Sequence, residues 1–540
     1  MYGLRYFTML NLLATVCTAV PPRPHIVIVV ADDLGWNDVS FHGSNQIPTP
    51  NIDSLAHSGI ILNKYYVSPL CTPTRGALMS GLHPIHTGLQ TSVIEGFHPF
   101  GLPLNITILP QWLQTLGYRT HMIGKWHLGS YKSEYTPMYR GFESFTGYHN
   151  SHGDYYDHSS EASEGYFGYD FWRNTDLDYT SIGQYSTTLF TEKAVDIIKE
   201  HDTHEPIFLY LSYQAVHPGN TPSGNPLQAP SSYVNSHPNI ESKERKQYAG
   251  MVAALDDGIA AVIDELKSRD MYNNSVILFT TDNGGGANGF MEGAASNFPL
   301  RGMKSTLWEG GVRGVAFLHS PLLQSSGYIS ENLIHVCDWL PTLYSAAGGN
   351  PADLGDNDGH DMWEMLSTNG NQVRNEILHN IDPGLSEEAI RVGEYKLVVL
   401  GNNNRSMEMD GWYPPYQRAD DSTRLHYLNI RAGMSKYKLF LREILLNKQK
   451  VACKYCPIDI SCGITNIFHS FHEASHVNLF HIPSDPCELR NIAVGNEAIV
   501  QRLLDKLNSY AETMVPIGNL TIDPNSNPRL HRGAWVPWQD

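Results

Sequence analysis

The chain has 540 residues, of which 41% are hydrophobic, 11% aromatic and 17% charged. This composition is typical of a folded protein and excludes a disordered chain, and the length allows one large domain with a smaller one beside it. The formal net charge is −18, from 37 basic and 55 acidic residues. A protein that binds nucleic acid needs a basic surface, so this charge excludes that class.

Residues 1–19 have the pattern of a secretory signal peptide. Arg5 supplies the positive charge, residues 7–16 form the apolar segment, and Cys17 and Ala19 are the small residues before the cleavage point. A membrane anchor is the alternative, but the stretch is too short, and no later apolar run reaches spanning length. We therefore expect a protein of the secretory pathway, lysosomal or extracellular, without a transmembrane segment.

Two further patterns fit an oxidising, secretory environment. Cys337 is expected to be a buried free thiol, and the late cysteines are expected to form two disulfides, with a zinc site as the alternative. The late cysteines are Cys453, Cys456, Cys462 and Cys487. N-x-S/T sequons mark four candidate glycosylation sites, at Asn105, Asn273, Asn404 and Asn519.

Apolar, β-branched runs alternate with helical patterns over the first two thirds of the chain. This order predicts an α/β fold with a mostly parallel sheet and helices on both faces. The predicted strand segments are 25–33, 118–129, 206–218, 275–286 and 313–320. The predicted helical segments are 48–59, 110–117, 186–201, 243–270 and 338–348.

The alternation of predicted strands and helices ends after about residue 375. Short strand-like pieces appear at 390–401 and 478–482, and a helical pattern follows near 495–514. We therefore expect a large catalytic domain over residues 20–375 and a smaller C-terminal α+β domain over residues 376–540.

Polar side chains follow four of the predicted strands at the point where each strand ends. In open α/β sheets, ligands bind beyond the carboxyl ends of the parallel strands, so these side chains are expected to share one site. They are Asp32, Asp33, Lys125, His127, His217, Asp282 and Asn283. An extended chain would point Lys125 and His127, which are two residues apart, to the same side.

Asp32, Asp33, Asp282 and Asn283 all offer oxygen atoms. Oxygen donors suit a hard cation such as Ca²⁺ or Mg²⁺, although Asp32 and Asp33 alone are equally consistent with a strand-end turn. Positive charge for an anionic ligand comes from Arg75, Lys125 and Lys304, each of which is otherwise an ordinary surface cation.

The stretch PLCTPTRGALMSG, residues 69–81, places Cys71 at the start of a predicted helix with Arg75 one turn further on. Backbone N–H groups at a helix N-terminus favour an anion there. The residues by themselves allow a buried structural cysteine or a thiolate nucleophile. A thiolate is a poor neighbour for a hard cation, which prefers oxygen.

CTPTR followed by GALMSG resembles the signature of the sulfatase family, C-x-P-x-R. Further stretches agree with that family in order, namely VVADDLGWNDVSFHGS, THMIGKWHLG, TTDNGG, PLRGMKSTLWEGGVRG and HNIDP. Their detail is most similar to the arylsulfatase B group, which includes arylsulfatases B, I and J. The resemblance implies an alkaline-phosphatase-like α/β fold with a small C-terminal domain.

The resemblance also implies that the formylglycine-generating enzyme oxidises Cys71 to formylglycine, whose hydrate replaces the sulfur with two hydroxyls. One hydroxyl then attacks the sulfur of a sulfate ester, and the second expels sulfate. The family's site residues carry over to two sets of positions in this sequence. One Ca²⁺ would be held by Asp32, Asp33, Cys71, Asp282 and Asn283, and the catalytic set would be Cys71, Arg75, Lys125, His127, His217 and Lys304.

Within that set, the resemblance implies that Lys125, His217 and Lys304 bind the sulfate group. His217 would be the general acid and His127 the general base, and histidines that titrate near pH 6 would suit an acidic compartment. The implied substrate is N-acetylgalactosamine 4-sulfate in glycosaminoglycans, or another carbohydrate or aryl sulfate.

Two departures from the family pattern stand out. Thr74 occupies a position where most members have serine, and residues 95–105 lack the cysteines that arylsulfatase B carries there.

An inert protein that binds sulfated glycans on the same fold is the alternative function. A phosphatase would need a second metal and a serine or threonine nucleophile, which the motif lacks. The aromatic segment 147–172 is either a wall of the pocket or a surface loop.

Overall fold

The computed structural model describes residues 22–219, 224–401, 409–413, 460 and 476–540. The predicted signal peptide, the sequon at Asn404 and three of the late cysteines, Cys453, Cys456 and Cys462, lie outside these residues. Among the described residues, no helix is both long enough and apolar enough to cross a membrane.

A ten-stranded sheet forms the centre of the molecule, in the spatial order β13-β2-β12-β11-β1-β10-β4-β5-β8-β9. The described strands are β1 His25–Ala31, β2 Ile60–Leu62, β3 Tyr65–Tyr66, β4 Arg119–Lys125, β5 Ser144–Tyr148, β6 Ser159–Ser163, β7 Tyr166–Tyr169, β8 Trp172–Arg173, β9 Asp176–Leu177, β10 Ile207–Ser212, β11 Ser275–Thr281, β12 Ala316–His319, β13 Tyr328–Ser330, β14 Ile334–His335, β15 Glu376–Asp382, β16 Glu387–Val392, β17 Tyr395–Val399 and β18 Val477–His481.

Helices cover both faces of this sheet. The described α-helices are α1 Pro50–Ser58, α2 Cys71–Ser80, α3 Leu109–Thr115, α4 Ser186–Glu200, α5 Ser231–Asn235, α6 Lys243–Ser268, α7 Glu309–Val312, α8 Trp339–Ala346, α9 Trp363–Thr368 and α10 Glu497–Ala511. Alternate residues of β1 point to opposite faces. Val27 and Val29 pack in a core with α4 and α6, whereas Ile26 and Ile28 pack in a second core with α2, α3 and α8.

Five adjacent strands at the centre, β11, β1, β10, β4 and β5, run parallel to one another. The predicted strand at 313–320 corresponds to β12, which instead runs antiparallel to β11 and to β2. Two more antiparallel strands, β8 and β9, end the other edge. The sheet is therefore mixed but mostly parallel, which confirms the predicted α/β fold class.

The register of the sheet sets the geometry at its carboxyl edge. Ala31 at the end of β1 is paired with Thr281 at the end of β11. The residues that follow, Asp32 and Asp282, therefore leave the sheet side by side. Polar residues about 250 positions apart in the chain are brought together by nothing more than strand pairing.

β4 approaches β10 so closely at its end that only glycine fits at position 124. A Cβ at Gly124 would lie 1.9 Å from the carbonyl oxygen of Ser212, and the glycine has φ +96°. The next residue, Lys125, extends past the end of β10 and donates a hydrogen bond of 2.6 Å to Asp32 after β1.

A second, four-stranded antiparallel sheet, β15-β16-β17-β18, forms the smaller C-terminal part, with α10 packed against it. This agrees with the predicted smaller α+β unit. Cys487, which follows β18, is disulfide-bonded, as predicted for the late cysteines. Cys337 is free and buried, which also confirms its prediction.

The two sheets are joined by a fully buried ion network. Glu309 at the start of α7 pairs with Lys396 of β17 at 2.9 Å, and Lys396 also pairs with Glu488 at 2.8 Å. All three side chains are 0% exposed. The Tyr66 hydroxyl donates a further hydrogen bond of 2.8 Å to Glu309. The Lys396 ammonium thus pairs with two carboxylates from different parts of the chain, and Glu309 has a second, longer pair with Arg313 at 3.5 Å.

We expect Lys396→Met to lower the free energy of unfolding by roughly 3–5 kcal/mol, because it removes the cation that pairs with buried Glu488 and leaves buried Glu309 only the longer pair with Arg313, at 3.5 Å. Chemical denaturation of purified protein measures this. Lys193→Met removes an exposed lysine whose ion-pair distance is 3.4 Å and should cost less than about 0.5 kcal/mol. Equal effects of the two changes would show that the buried network adds no stability.

Candidate active site

Four oxygen-bearing side chains meet at the carboxyl ends of β1 and β11. Asp282 Oδ1 accepts a hydrogen bond of 3.2 Å from the Asp33 N–H. The Asn283 amide donates one of 2.7 Å to Asp33 Oδ1. Asp32, Asp282 and Asn283 are each 0% exposed, and Asp33 is 3% exposed. The structure therefore brings together the oxygen donors that the sequence predicts.

Two of these carboxylates and the neighbouring Cys71 could share a metal ion. Ligand atoms of Asp32, Asp33 and Cys71 all lie within 4.8 Å of one another. Asp32 Oδ1 and Asn283 Oδ1 are buried and accept no hydrogen bond from any described residue. Buried oxygens are normally hydrogen-bonded, so two unsatisfied ones on residues of one cluster fit a hard divalent cation.

Cys71 is the first residue of α2, and all ten residues of that helix are buried. The side chain lies 2% exposed in a site where burial raises the pKa of the thiol to about 12, despite the opposing effect of Lys125 and Lys304. The thiolate that the helix N-terminus would favour is therefore disfavoured by burial. The interpretation of Cys71 as an activated thiolate does not fit this environment.

Thr74 keeps the hydrogen bond that a serine hydroxyl would make. Its Oγ1 accepts the N–H of Ser68 at 2.8 Å and so ties the preceding loop to the first turn of α2. Since serine and threonine both carry this oxygen, the departure at position 74 leaves the local geometry of the signature intact.

Arg75 lies one helical turn after Cys71 and is fully buried. Its Nη2 donates to Asp282 Oδ2 at 2.7 Å, and its Nη1 donates to Ser212 Oγ at 2.5 Å. Burial disfavours the charged guanidinium, but Asp282 and Asp32 favour it more, so the pKa of Arg75 is raised. The residue is a permanent cation that fixes α2 against β10 and β11.

Two buried lysines complete the positive side of the site. Lys125 Nζ lies 2.6 Å from Asp32 Oδ2, and Lys304 Nζ lies 2.8 Å from Asp33 Oδ2. Burial by itself lowers the pKa of Lys304, but the carboxylates of Asp33 and Asp32 and the nearby Cys71 outweigh it, so the net pKa is raised. Both lysines are thus positioned to receive an anion.

His217 faces the same carboxylate as Lys304, with Nε2 3.6 Å from Asp33 Oδ2. Its Nδ1 lies 2.7 Å from the Pro218 carbonyl oxygen, so Nδ1–H donates and Nε2 is directed at the site. Burial, with Lys304 and Lys125 nearby, lowers the pKa of His217 to about 3. The expectation of a histidine that titrates near pH 6 is therefore wrong for the free site.

His127 is also buried, and neither ring nitrogen has a hydrogen-bond partner among the described residues. Burial and then the cations Lys125 and Arg75 lower its pKa well below the usual value. The predicted extended geometry is not found, because β4 ends at Lys125 and His127 has φ +59°. Both side chains nevertheless belong to one charged cluster.

The sequence did not single out three residues that line this site. Glu95 and Ser151 are hydrogen-bonded at 3.0 Å, and the ring of His152 stacks on His217 with centroids 5.5 Å apart. Ser151 and His152 belong to segment 147–172, whose Tyr155 hydroxyl also donates to the His217 carbonyl oxygen at 2.8 Å. This part of the segment is thus a wall of the pocket. The tyrosines and histidines of segment 147–172 were the sequence feature that pointed to this wall. No sequence feature pointed to Glu95.

Buried carboxylates that fit a divalent cation, flanked by buried cations and a residue at a helix N-terminus, define an enzyme that acts on anionic esters. A sequence profile of the family described as Sulfatase matches residues 24–349. The chain is 38% identical to arylsulfatase J of Mus musculus over 96% of its length and 81% of that protein. The chain belongs to the sulfatase family, and its chemistry is that of a sulfuric ester hydrolase.

Other relatives extend this comparison. N-acetylgalactosamine-6-sulfatase of Homo sapiens is 29% identical over 62% of this chain and 64% of that protein. The crystal structure of Ps i-CgsB in complex with k-i-k-neocarrahexaose has a TM-score of 0.71 and 26% identity, covering 94% of this chain and 98% of that one. The whole described fold is therefore that of a sulfatase.

We expect Cys71 that has not been oxidised to resist iodoacetamide at pH 8 in the folded protein. Burial blocks access, and a rise of the thiol pKa from 9.0 to about 12 lowers the thiolate fraction roughly a thousandfold. Peptide mass spectrometry should find label at Cys71 only after denaturation. Cys71→Ser protein shows the labelling of the other cysteines, and rapid labelling of folded Cys71 would restore the thiolate interpretation.

Proposed function

We propose that this protein hydrolyses sulfate esters with formylglycine at position 71 and a Ca²⁺ ion beside it. The observation that carries the proposal is the position of Cys71, whose sulfur lies within 4.8 Å of ligand oxygens of Asp32 and Asp33. A soft sulfur is poorly placed beside a hard cation, whereas a hydroxyl would fit. Oxidation of Cys71 removes this conflict.

Formylglycine supplies, as its hydrate, a hydroxyl nucleophile and a second hydroxyl through which sulfate can leave. This chain's own residues hold that position rigidly. Arg75 fixes α2 to β10 and β11, and the Thr72 hydroxyl donates a hydrogen bond of 3.0 Å to the His127 carbonyl oxygen. Residue 71 is therefore placed before any substrate arrives, which lowers the entropic cost of the reaction.

The cations bind and orient the sulfate group. Lys125, at the end of β4, contacts Asp32, and Lys304, in the loop before α7, contacts Asp33, so the two cations reach the cluster from different segments. An ester sulfate between them would have its negative oxygens next to fixed, buried positive charges. Such preorganised charge stabilises the transition state more than solvent could.

His217 and Lys304 are proposed to protonate the leaving alcohol. Both contact Asp33 Oδ2, so they stand on the same side of the site. Nζ of Lys304 carries a proton that it can pass to the departing oxygen, whereas Nε2 of His217 can donate only once the negative charge of a bound sulfate group has raised its pKa. His127, whose two ring nitrogens have no partner among the described residues, is proposed to hold the proton of the second hydroxyl.

Ca²⁺ is the proposed metal, because the donors available to it are carboxylate and amide oxygens. Asp32, Asp33, Asp282 and Asn283, with the hydroxyl at residue 71, are the proposed ligands. Such a hard, all-oxygen set suits Ca²⁺ better than Zn²⁺. The metal would supply positive charge for the sulfuryl oxygens.

The proposed substrates are carbohydrate sulfates, with N-acetylgalactosamine 4-sulfate units of glycosaminoglycans first among them. The similarity to a protein named N-acetylgalactosamine-6-sulfatase and to a structure that holds a neocarrahexaose supports a sugar as the alcohol.

We also propose entry into the secretory pathway, where the formylglycine-generating enzyme would act. Asn105, Asn273 and Asn519 are exposed, as glycosylation requires.

An inert sulfated-glycan-binding protein remains the alternative. Such a protein would need cations but no group to move protons, and His127 and His217 argue against it.

We expect the tryptic peptide 65–75 from a eukaryotic secretory host to be lighter than its cysteine form, because sulfur and two hydrogens give way to one oxygen. Mass spectrometry measures this.

The same preparation should hydrolyse 4-nitrophenyl sulfate, and Cys71→Ser should fold normally but lose at least about 10³-fold in turnover, because the spare hydroxyl is gone. Cys337→Ser, at the other buried free thiol, is the matched control and should retain activity. A wholly unoxidised Cys71 in an inactive protein would favour the glycan-binding alternative, and full turnover by Cys71→Ser would contradict the proposed nucleophile.

We expect Ca²⁺ to raise the thermal unfolding midpoint of chelator-treated protein, since binding to the folded state alone adds about 2.7 kcal/mol at 100 times Kd. Asn283→Ala removes a neutral ligand and should weaken Ca²⁺ binding on the order of tenfold or more. Asn235→Ala, at an exposed residue at the end of α5, should leave the shift unchanged. An unaltered shift in Asn283→Ala would exclude this site as the one that Ca²⁺ occupies.

A further inference from the structure

Glu95 lies next to the start of α2, although the proposed reaction does not use it. The N–H of Ile94 donates a hydrogen bond of 3.1 Å to Thr72 Oγ1, and Thr72 directly follows Cys71. The chain at residues 94–95 therefore runs alongside the position of the proposed nucleophile.

The other side of Glu95 is connected to the proton-donating side of the site. The Ser151 hydroxyl donates to Glu95 Oε2 at 3.0 Å and lies 2.9 Å from His152 Nδ1. His152 stacks on His217 with an angle of 22° between the rings. A continuous wall thus runs from Cys71 to His217, and Glu95 is the carboxylate in the middle of it.

This carboxylate has no countercharge in contact. Among the described residues, no lysine, arginine or histidine forms an ion pair with Glu95, and only the Ser151 hydroxyl donates to its side chain. Burial raises the pKa of Glu95, while the charges of Lys125 and Lys304 act in the opposite direction at longer range. Oε1 has no donor among the described residues.

The position of Glu95 is fixed by close packing behind it. A Cβ at Gly96 would lie 2.6 Å from Asn150 Oδ1 and 2.8 Å from the ring of Trp535. Trp535 is itself held by hydrogen bonds of 3.0 Å to the Ser160 carbonyl oxygen and 2.9 Å to that of Tyr169. The backbone at residues 95–96 therefore has no room to move away from the site.

A carboxylate in this place repels sulfate, whose oxygens carry negative charge and no hydrogen. It must face a part of the substrate that donates hydrogen bonds. An aryl ring offers no such donor, whereas a sugar offers hydroxyl and amide N–H groups on its other ring carbons.

We propose that Glu95, held by Ser151, recognises a hydroxyl or amide N–H of the sugar that carries the sulfate group. The inference rests on the proposed function and adds to it a residue that determines specificity. Glu95 selects a saccharide whose free donors flank the ester, and it disfavours a second sulfate or a carboxylate at that side. The preferred substrate is then a monosulfated sugar unit.

Steady-state kinetics of Glu95→Gln and Glu95→Ala test this, with N-acetylgalactosamine 4-sulfate, N-acetylgalactosamine 6-sulfate and 4-nitrophenyl sulfate as substrates. A lost hydrogen bond to a charged group should raise KM for the preferred sugar roughly 10- to 100-fold with kcat little changed. The loss in kcat/KM should exceed that on 4-nitrophenyl sulfate at least about tenfold. Ser151→Ala should show a smaller shift in the same direction.

Glu192→Gln, at an exposed glutamate of α4, is the matched control and should behave as the unaltered protein. Equal losses on sugar and aryl sulfates would overturn the proposal, because they would indicate a structural role. A fall in kcat alone, with KM unchanged, would also overturn it and would make Glu95 a proton donor. Unchanged kinetics on both sugars would show that Glu95 contacts neither.

A binding measurement separates this inference from the proposed reaction. Calorimetry compares N-acetylgalactosamine 4-sulfate binding to Cys71→Ala and to Cys71→Ala/Glu95→Gln, neither of which needs to turn over. A Kd at least about tenfold higher in the double variant supports recognition by Glu95 even if the unaltered protein cleaves no substrate. Equal Kd values, or no binding to either, would overturn the inference.

Discussion

The site depends on one constraint, which is that three carboxylates are buried beside one another and must be compensated by buried cations. Asp32, Asp33 and Asp282 leave adjacent strands with at most 3% exposure. Burial and the neighbouring Asp32 raise the pKa of Asp282, so the group is stable as an anion only with positive charge nearby. The chain supplies that charge from Arg75, Lys125 and Lys304, which also makes the cluster a receptor for an anion.

This balance of charge ties several segments of the chain to one site. Each cation belongs to a different segment, and Arg75 is also fixed by hydrogen bonds to Ser212 and to the Lys125 carbonyl oxygen. Removing one member leaves an uncompensated buried charge, which is far costlier than losing an exposed pair. Fold stability and catalytic geometry therefore depend on the same side chains. These side chains also fix the position of residue 71.

The substrate side of the pocket follows a different logic. In the proposed binding mode, charge near the sulfate group would come from strand ends and α2, and the wall around the alcohol from residues 94–98 and 147–155. The C-terminal tail supports this wall, because Trp535 packs behind Gly96 and its N–H donates to Tyr169. In the proposed function, reaction chemistry and substrate choice thus reside in separate parts of the chain. Such a separation allows loops to vary while the strand-end residues stay the same.

Hydrophobic periodicity and local motifs in the sequence alone determined the α/β class, the main strands and helices, and the polar residues at the strand ends. These features depend on neighbours in the chain, and α1, which begins at Pro50 after Thr49 and ends before Gly59, shows how local such signals are. Tertiary structure alone decided the antiparallel direction of β12, the lowered pKa of His217 and the presence of Glu95 in the pocket. Each of these depends on which distant segments pack together and how far they exclude water, and no local pattern in the chain encodes that.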